Sequence, residues 1–259
     1  MRALALGFLR ELGCQLELLA AVVVRLPSIV RRRALVAEQL FQAGIRVVHV
    51  VLLVGLFIGM IVSLQTGLEL SRFGQQDQIG TIVALSMCRE MGPFITATIL
   101  AATVGSALAA ELGTMAVSEE LTALEVMSID RTSYLVLPRV ISLAVMCPLL
   151  TVLCDTVGII GGGFIADSQL NVGLALYYDS AIDALQDTDF FLSLPKDVYS
   201  GLFKAFVFGI VVAVISCAAG LGASSGALGV GNATRKAVRD SIIAIIVSNY
   251  FLSWFFFQL

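Results

Sequence analysis

The chain has 259 residues, of which 58% are hydrophobic and only 14% are charged, whereas soluble domains carry about 25% charged residues. Its formal net charge is -3 and its mean hydropathy is +0.96. These values exclude an ordinary soluble domain, indicate a membrane protein and give no reason to expect a nucleic-acid partner.

The first predicted element is an amphipathic helix over residues 1–26, which should end at Pro27. Its apolar residues recur every three or four positions, which is typical of a helix lying on a membrane. A helix packed on its own protein would give the same pattern. The basic run Arg31-Arg32-Arg33 follows and should stay on the cytoplasmic side. No cleavable signal peptide is expected, so residues 1–46 are interpreted as an interfacial helix and a basic cytoplasmic segment.

Two membrane spans should follow, because a bilayer core needs about 20 apolar residues per helix. The first span covers about 47–68 and contains Gly55 and Gly59, a small-residue pair suited to close helix contact. The second covers about 79–110 and is longer than a bilayer requires. The Gly92-Pro93 pair should bend or break it.

The segment 111–131 changes character, because acidic residues alternate with an apolar face. This pattern predicts an amphipathic helix between two spans. Such a helix can be a docking surface for a soluble partner or a plain connector. The candidate coupling residues are its carboxylates: Glu111, Glu119, Glu120, Glu125 and Asp130.

Three further spans are predicted at about 134–166, 198–221 and 241–259. An acidic loop, 167–197, precedes the fourth span, and a Gly/Ser-rich loop, 222–240, precedes the fifth. The predicted fold class is therefore an all-α integral membrane protein. It has an N-terminal interfacial helix, five transmembrane helices and a cytoplasmic coupling helix between the second and third.

The distribution of basic residues orients this topology. A cytoplasmic N-terminus places only Arg72 and Lys196 outside, together with the C-terminus. The basic residues placed inside are Arg2, Arg10, Arg25, Arg31, Arg32, Arg33, Arg131, Arg235, Lys236 and Arg239. This asymmetry agrees with the preference of cytoplasmic loops for arginine and lysine. The predicted location is the inner membrane, with several passes.

Enzymatic and metal-binding motifs are not apparent. The nucleotide-binding pattern GxxxxGK[ST] does not occur, so no cofactor is expected and any ATP should be bound by a partner chain. His49 is the only histidine, which leaves too few parts for a His-based metal site or triad. The five cysteines form no CxxC pair and are interpreted as packing residues: Cys14, Cys88, Cys147, Cys154 and Cys217.

Charges interrupt the apolar spans, among them Arg89 and Glu90 in the second, Asp155 towards the outer end of the third and Lys204 in the fourth. Arg89 lies about 15 Å from the outer start of the second span, near mid-bilayer, and Lys204 about 9 Å inside the fourth. A charge at the bilayer centre costs about 2.5–3.5 kcal/mol on insertion scales, so such groups face partners or a wet cavity. Arg89 and Glu90 are consecutive and should have separate partners, with Lys204 expected for Glu90. The cluster can face a substrate, or it can simply fix helix register.

The central block, residues 82–131, and three flanking stretches resemble the MlaE/YrbE-type permeases of MCE-associated lipid ABC transporters. The flanking stretches are GLFIGMIVSLQTGLEL (55–70), LPRVISLAVMCPLLTVLCDTVGIIGG (137–162) and GLFKAFVFG (201–209). The resemblance is essentially end to end and identifies 47–259 as an MlaE-like permease domain.

The resemblance implies a homodimer that pairs with a cytoplasmic ABC ATPase and an MCE-domain periplasmic protein, in some members with a STAS-domain regulator. Such complexes move phospholipids or related lipids between the inner membrane and the outer envelope. By position, Arg89, Glu90 and Lys204 match the family's charged residues at the lipid cavity, and 111–131 matches its coupling helix. Leu64 and Leu68, one turn apart, are candidate wall positions of an outward-open dimer cavity.

Two alternatives remain open at this point. One is a non-transporting membrane scaffold that joins an MCE protein to an ATPase. The other is a secondary transporter, which would work without an ATPase.

Overall fold

The structure is a computed structural model that describes residues 2–186, 190–191, 194–224 and 226–258, and nearly all of these are helical. The prediction of an all-α fold is confirmed. A single pair of two-residue antiparallel strands, β1 (Phe190–Phe191) and β2 (Leu194–Pro195), lies within the described part of the acidic loop.

The helices follow one another with short connections. The α-helices are α1 (Arg2–Arg25), α2 (Arg33–Gly44), α3 (Val48–Phe73), α4 (Ile79–Ser86), α5 (Gly92–Leu100), α6 (Ser106–Val117), α7 (Glu120–Val126), α8 (Leu137–Leu170), α9 (Leu174–Gln186), α10 (Lys196–Leu221) and α11 (Gly226–Gln258). Three segments are π-helical: Met87–Met91, Ala101–Gly105 and Thr132–Val136. Short 3₁₀ turns cover Leu26–Arg32 and Gln76–Gln78.

Four helical stretches of the described chain are long and apolar enough to cross a membrane. They are Arg33–Phe73, Gln76–Val117, Thr132–Leu170 and Lys196–Leu221. These contain the first four predicted spans. The fifth predicted span falls in α11, which is not one of the four. A fifth crossing, and with it a C-terminus outside, therefore stays a prediction.

The chain forms two compact units. The first comprises Met1–Arg46, Leu100–Met146 and Phe208–Ser248, and the second Val47–Ile99, Cys147–Val207 and Asn249–Leu259. The first unit buries residues such as Leu112, Leu137, Leu143, Cys217 and Ile245, and the second Val51, Ile79, Val83, Met87 and Tyr177. Four cysteines are buried, which confirms their packing role, whereas the prediction is wrong for Cys14, which is exposed.

Small residues bring α3 and α8 into close contact in the second unit. Gly55, Gly59, Ser63 and Gly67 recur every four positions and are all buried. A Cβ added at Gly59 would overlap the Gly158 carbonyl group. The Ser63 hydroxyl donates to the Gly162 carbonyl oxygen at 2.8 Å. The predicted small-residue helix contact is confirmed, because close backbone approach requires positions without a bulky side chain.

Helix α9 packs on α4 in the same unit. Thr81 of α4 donates to the Ser180 carbonyl oxygen of α9 at 3.1 Å. Tyr177 of α9 also donates to the Ile159 carbonyl oxygen of α8, at 3.0 Å. Burial, with a smaller contribution from Tyr178, raises the pKa of Tyr177. The phenol therefore keeps its proton and its donor role over the ordinary pH range.

Two local predictions need correction. Helix α5 begins at Gly92 and continues through Pro93, so this pair does not break the second span. The irregularity lies just before it, as a π-helical turn. The predicted helix over 111–131 is also wrong in extent, because α6 ends at Val117 and α7 covers only Glu120–Val126.

The break before α7 has a local cause. The Ser118 N–H still makes the helical bond to the Thr114 carbonyl oxygen at 2.9 Å, so the chain is helical up to that residue. Glu119 then adopts a left-handed conformation with φ 62°, which redirects the chain. Ser128, with φ 59°, is in the same conformation just beyond the end of α7.

Candidate functional site

The charged pair Arg89-Glu90 lies in the π-helical turn Met87–Met91 of the second unit. The Gly92 N–H bonds the Met87 carbonyl oxygen, five residues back, as a π-turn requires. This turn contains one residue more than a regular α-helical turn. It therefore sets the directions in which both charged side chains leave the helix, and π-turns of this kind are frequent at functional sites.

Glu90 pairs with Lys204, as predicted. Lys204 Nζ lies 2.7 Å from Glu90 Oε1, and the lysine side chain is completely buried. It also donates to the Arg89 carbonyl oxygen at 3.0 Å and to Ser253 Oγ at 2.8 Å. An ammonium group has three protons to donate, so all three are used here.

Pro93 explains why the Arg89 carbonyl oxygen is available. In an α-helix this oxygen would accept the N–H of the fourth following residue, which is Pro93 and has no N–H. Lys204 supplies the missing donor. The proline therefore frees an acceptor for the buried lysine.

Helix α11 completes the surroundings of Glu90. Asn249 Nδ2 donates to Glu90 Oε2 at 2.9 Å. Ser253 Oγ lies 2.8 Å from Glu90 Oε1 and 2.8 Å from the Asn249 carbonyl oxygen, and its single proton serves one of the two. Both carboxylate oxygens are thus bound, although 37% of the Glu90 side chain stays exposed.

Arg89 has a separate partner, as predicted, and that partner is Asp197. Arg89 Nε and Nη2 donate to the two carboxylate oxygens at 2.6 and 2.9 Å, which is the paired geometry that guanidinium and carboxylate groups favour. Only 1% of the Asp197 side chain is exposed, against 36% of Arg89. The arginine therefore presents one edge outward while its other edge is held.

These six residues are called the charged network: Arg89, Glu90, Asp197, Lys204, Asn249 and Ser253. Two cations face two anions, so the network is neutral as a whole. Neutrality makes it compatible with a membrane-spanning segment, where an unpaired charge is costly. About a third of each of the Arg89 and Glu90 side chains remains exposed.

Half of the network was not identified from the sequence. Asp197 was assigned to the acidic loop, but it lies in the first turn of α10. Asn249 and Ser253 are polar residues four positions apart in an otherwise apolar stretch, so they share one face of a helix. Their four-residue spacing is the sequence feature from which these two network residues could have been predicted.

Leu64 and Leu68 lie on α3, each one residue beyond a member of its buried small-residue stripe. Leu64 is half-buried and Leu68 is 51% exposed. Their role as cavity walls stays a prediction.

The predicted coupling carboxylates lie in the first unit, and most have partners there. Glu111 pairs with the buried Arg139 at 3.1 Å, and Glu125 with Arg131 at 2.9 Å. Asp130 bonds Arg25 of α1, and Glu120 accepts from the Ser118 hydroxyl at 3.1 Å. Glu119 occupies the left-handed turn ahead of α7. The carboxylates therefore help to shape this segment.

The same segment also exposes apolar side chains. Val126 is 81% exposed and Met127 is 61% exposed at the end of α7. Surface of this kind is what a protein partner would cover.

Two open grooves lie elsewhere. One, of about 660 Å³, is lined in the second unit by residues including Asp77, Thr81 and Asp183. The other, of about 330 Å³, is lined in the first unit by residues including Leu18 and Arg131. Neither groove includes a residue of the charged network. Within the described residues, no group of three or more His, Cys, Asp or Glu side chains could hold a metal ion.

Comparison with known proteins gives a consistent result. The profile of a family described as "Permease MlaE" matches residues 36–255. A protein of Synechocystis sp. described as a probable ABC transporter permease is 40% identical over 85% of this chain and 81% of its own length. One of Rickettsia conorii, described in the same words, is 38% identical over 87% of this chain and 84% of its own length.

A third similar protein is the chloroplastic protein Trigalactosyldiacylglycerol 1 of Arabidopsis thaliana. It is 39% identical over 85% of this chain, and the match spans 61% of the plant protein.

Proposed function

The chain belongs to the MlaE permease family and is a multi-pass transport permease, and we propose that its cargo is a phospholipid or a related lipid. The observation that carries the proposal is the charged network within the membrane-spanning helices. A paired, neutral network that leaves one cationic and one anionic edge exposed suits a headgroup with phosphate and ammonium charges. The name of the Arabidopsis relative contains that of a glycerolipid, which supports the same class of cargo.

The proposed transporter contains two copies of this chain. Together they enclose an outward-open, mostly apolar cavity with Arg89 and Glu90 at its polar rim, and Lys204, which is buried, holds Glu90 from behind. Leu64 and Leu68 line its walls. The apolar walls take acyl chains, and the rim takes the headgroup.

Energy for movement comes from a cytoplasmic ABC ATPase, which binds the ATP, so this chain needs no cofactor of its own. The segment 111–131, with α7 at its centre, is the proposed docking site for that ATPase. Its exposed Val126 and Met127 support this assignment. An MCE-domain periplasmic protein on the outer side would receive or deliver the lipid, and a STAS-domain regulator is a further proposed partner. The proposed location is the inner membrane, with the N-terminus in the cytoplasm.

Lipid retention tests the cargo. The complex is purified in detergent, and bound phospholipids are counted by mass spectrometry for the wild type and for Glu90→Gln. We expect Glu90→Gln to retain less phospholipid, because it weakens the anionic edge of the rim. The matched control is Glu69→Gln, since Glu69 is exposed in a local ion pair with Arg72. Equal retention in all three proteins would remove the headgroup role of Glu90.

A scaffold that joins an MCE protein to an ATPase is the second candidate function. The scaffold is favoured by the pairing of all four charges of the network within the chain. Such pairs could have the single role of fixing how the helices align. A scaffold predicts that ATP hydrolysis is indifferent to lipid. A secondary transporter predicts activity without any ATPase, so co-purification from the native membrane separates it from both.

A further inference from the structure

Asp155 is a buried acidic group that the charged network does not use. It lies 18 residues after Leu137, the first residue of α8, which is about 27 Å along a helix of about 51 Å. Its Oδ1 atom is buried, although the residue as a whole is partly exposed. No hydrogen bond or ion pair joins Asp155 to another residue that the structure describes. The four charged residues of the network, by contrast, are paired.

The surroundings of Asp155 do not compensate a charge. Its Oδ1 packs directly on Gly92, where an added Cβ would overlap the carboxyl group. Thr96, one turn further along α5, has a buried hydroxyl that lies beside the Cys154 thiol. The thiols of Cys88 and Cys154, both buried, lie nearby. None of these groups is a cation, and the cations of this unit's network hold other acceptors.

An ionised carboxylate with no partner is among the most costly groups to bury, and it neutralises where it can. Within a membrane-spanning helix the cost of ionisation is higher still, because the surroundings solvate a charge poorly. A neutral carboxylic acid avoids most of that cost and packs on Gly92 in the same way. The absence of a side chain at Gly92 is what allows the carboxyl group to lie there.

We propose that Asp155 is a proton-binding site within the membrane, occupied at neutral pH as a neutral carboxylic acid. Gly92 is the first residue of α5 and follows directly on the π-helical turn that carries Arg89 and Glu90. Loss of the proton would place an unpaired negative charge against this junction, two residues from Glu90. The site thus links protonation to the packing of α5 on α8. The inference does not depend on the identity of the cargo.

Infrared spectroscopy of the purified full-length protein, with any chains that co-purify, tests the proposal at neutral pH. We expect a carbonyl band of a protonated carboxylic acid in the wild type that is lost in Asp155→Asn. The matched control, Asp167→Asn, removes an exposed carboxylate from the same helix and should keep the band. A spectrum in which Asp155→Asn loses no such band would overturn the proposal.

A second measurement covers the case in which Asp155→Asn does not fold. The wild type is labelled with ¹³C at the aspartate side-chain carboxyl carbon, and the protonated-acid band must then shift. A band that does not shift, or that is missing, would contradict the assignment.

Thermal unfolding distinguishes a proton from a metal cation. Asp155→Asn, a neutral side chain of the same shape, should unfold within a few degrees of the wild type in sodium, potassium or choline buffers. A rise in unfolding temperature with sodium or potassium in the wild type, and not in Asp155→Asn, would overturn the proposal in favour of a bound cation.

Discussion

Lys204 is the residue on which the charged network depends. Its buried ammonium group joins Glu90, the Arg89 carbonyl oxygen and Ser253 through three hydrogen bonds. Buried ion pairs are often no more stable than apolar residues of the same volume, so stability alone does not explain their presence in a membrane helix. Removing one partner, however, leaves an uncompensated charge. This asymmetry gives a test that separates folding from function.

We predict that Lys204→Met lowers the free energy of unfolding by about 3 kcal/mol, because Glu90 loses its cation. The lower end of the usual range applies because Glu90 is partly exposed. Adding Glu90→Gln should recover most of that loss, since the double variant contains no unpaired charge. Thermal unfolding of the purified proteins measures both effects. Lys196→Met, at the exposed start of the same helix, is the control and should unfold like the wild type. A double variant less stable than Lys204→Met would contradict the charge-pair account.

Arg89 and Asp197 give a second residue-scale prediction. Arg89→Lys keeps the charge but cannot make two parallel hydrogen bonds to the buried carboxylate. We expect a loss of about 1.5–3 kcal/mol in the free energy of unfolding, the usual contribution of a hydrogen bond to a charged group. The control is Arg72→Lys, whose ion pair is exposed and contributes little. Equal unfolding temperatures for the two variants would show that the paired geometry adds no stability.

At the scale of elements, sequence pattern predicts the structural features that depend on composition and spacing. It misses the features that depend on contacts with distant segments of the chain. Helix α3 and its small-residue stripe follow from apolar length and four-residue spacing. The π-helical turn at Met87–Met91 does not, because the Lys204 donor that satisfies its free carbonyl group comes from a distant segment. The early end of α6 likewise depends on a single residue, Glu119, whose left-handed conformation redirects the chain. Periodicity over 111–131 cannot resolve a break of that kind.

The close contact of α3 and α8 predicts a large effect from one methyl group. Gly59→Ala would place its Cβ on the Gly158 carbonyl group, so the helices must separate. We expect a loss of about 1–3 kcal/mol in the free energy of unfolding, the usual cost of overpacking. Gly231→Ala, in α11 with open space around the added Cβ, is the control and should be neutral or slightly stabilising. Equal losses at both positions would show that packing against Gly158 is not the cause.

The segment around α7 makes a prediction about the ATPase. Val126→Asp puts a charge into the exposed apolar surface proposed to dock the partner. We expect ATPase binding to weaken about tenfold or more, measured by titration of the purified permease with the ATPase. Phe73→Asp, an equally exposed apolar residue at the end of α3, is the control and should bind normally. Normal ATPase binding by Val126→Asp would show that the docking surface does not include Val126.

For the whole molecule, the sequence predicted the class of protein better than the composition of its site. Membrane class, four of the spans and the family follow from hydropathy and from the central block of residues. Glu90 and Lys204 could be paired because few charges lie at that depth. Asp197, Asn249 and Ser253 could not be identified as members of the network. Their contacts depend on how α10 and α11 pack against the π-helical turn. Long-range assembly of this kind is not contained in local pattern.

The most direct measurement is lipid transfer by the purified permease with its ATPase in liposomes, followed with a fluorescent phospholipid. The account predicts movement that requires ATP and that falls by about tenfold or more in the Lys204→Met, Glu90→Gln double variant, which should remain folded. The Lys196→Met control should transfer lipid at the wild-type rate. A wild-type complex that hydrolyses ATP at a rate indifferent to lipid and moves none, or a double variant that transfers lipid normally, would contradict the account.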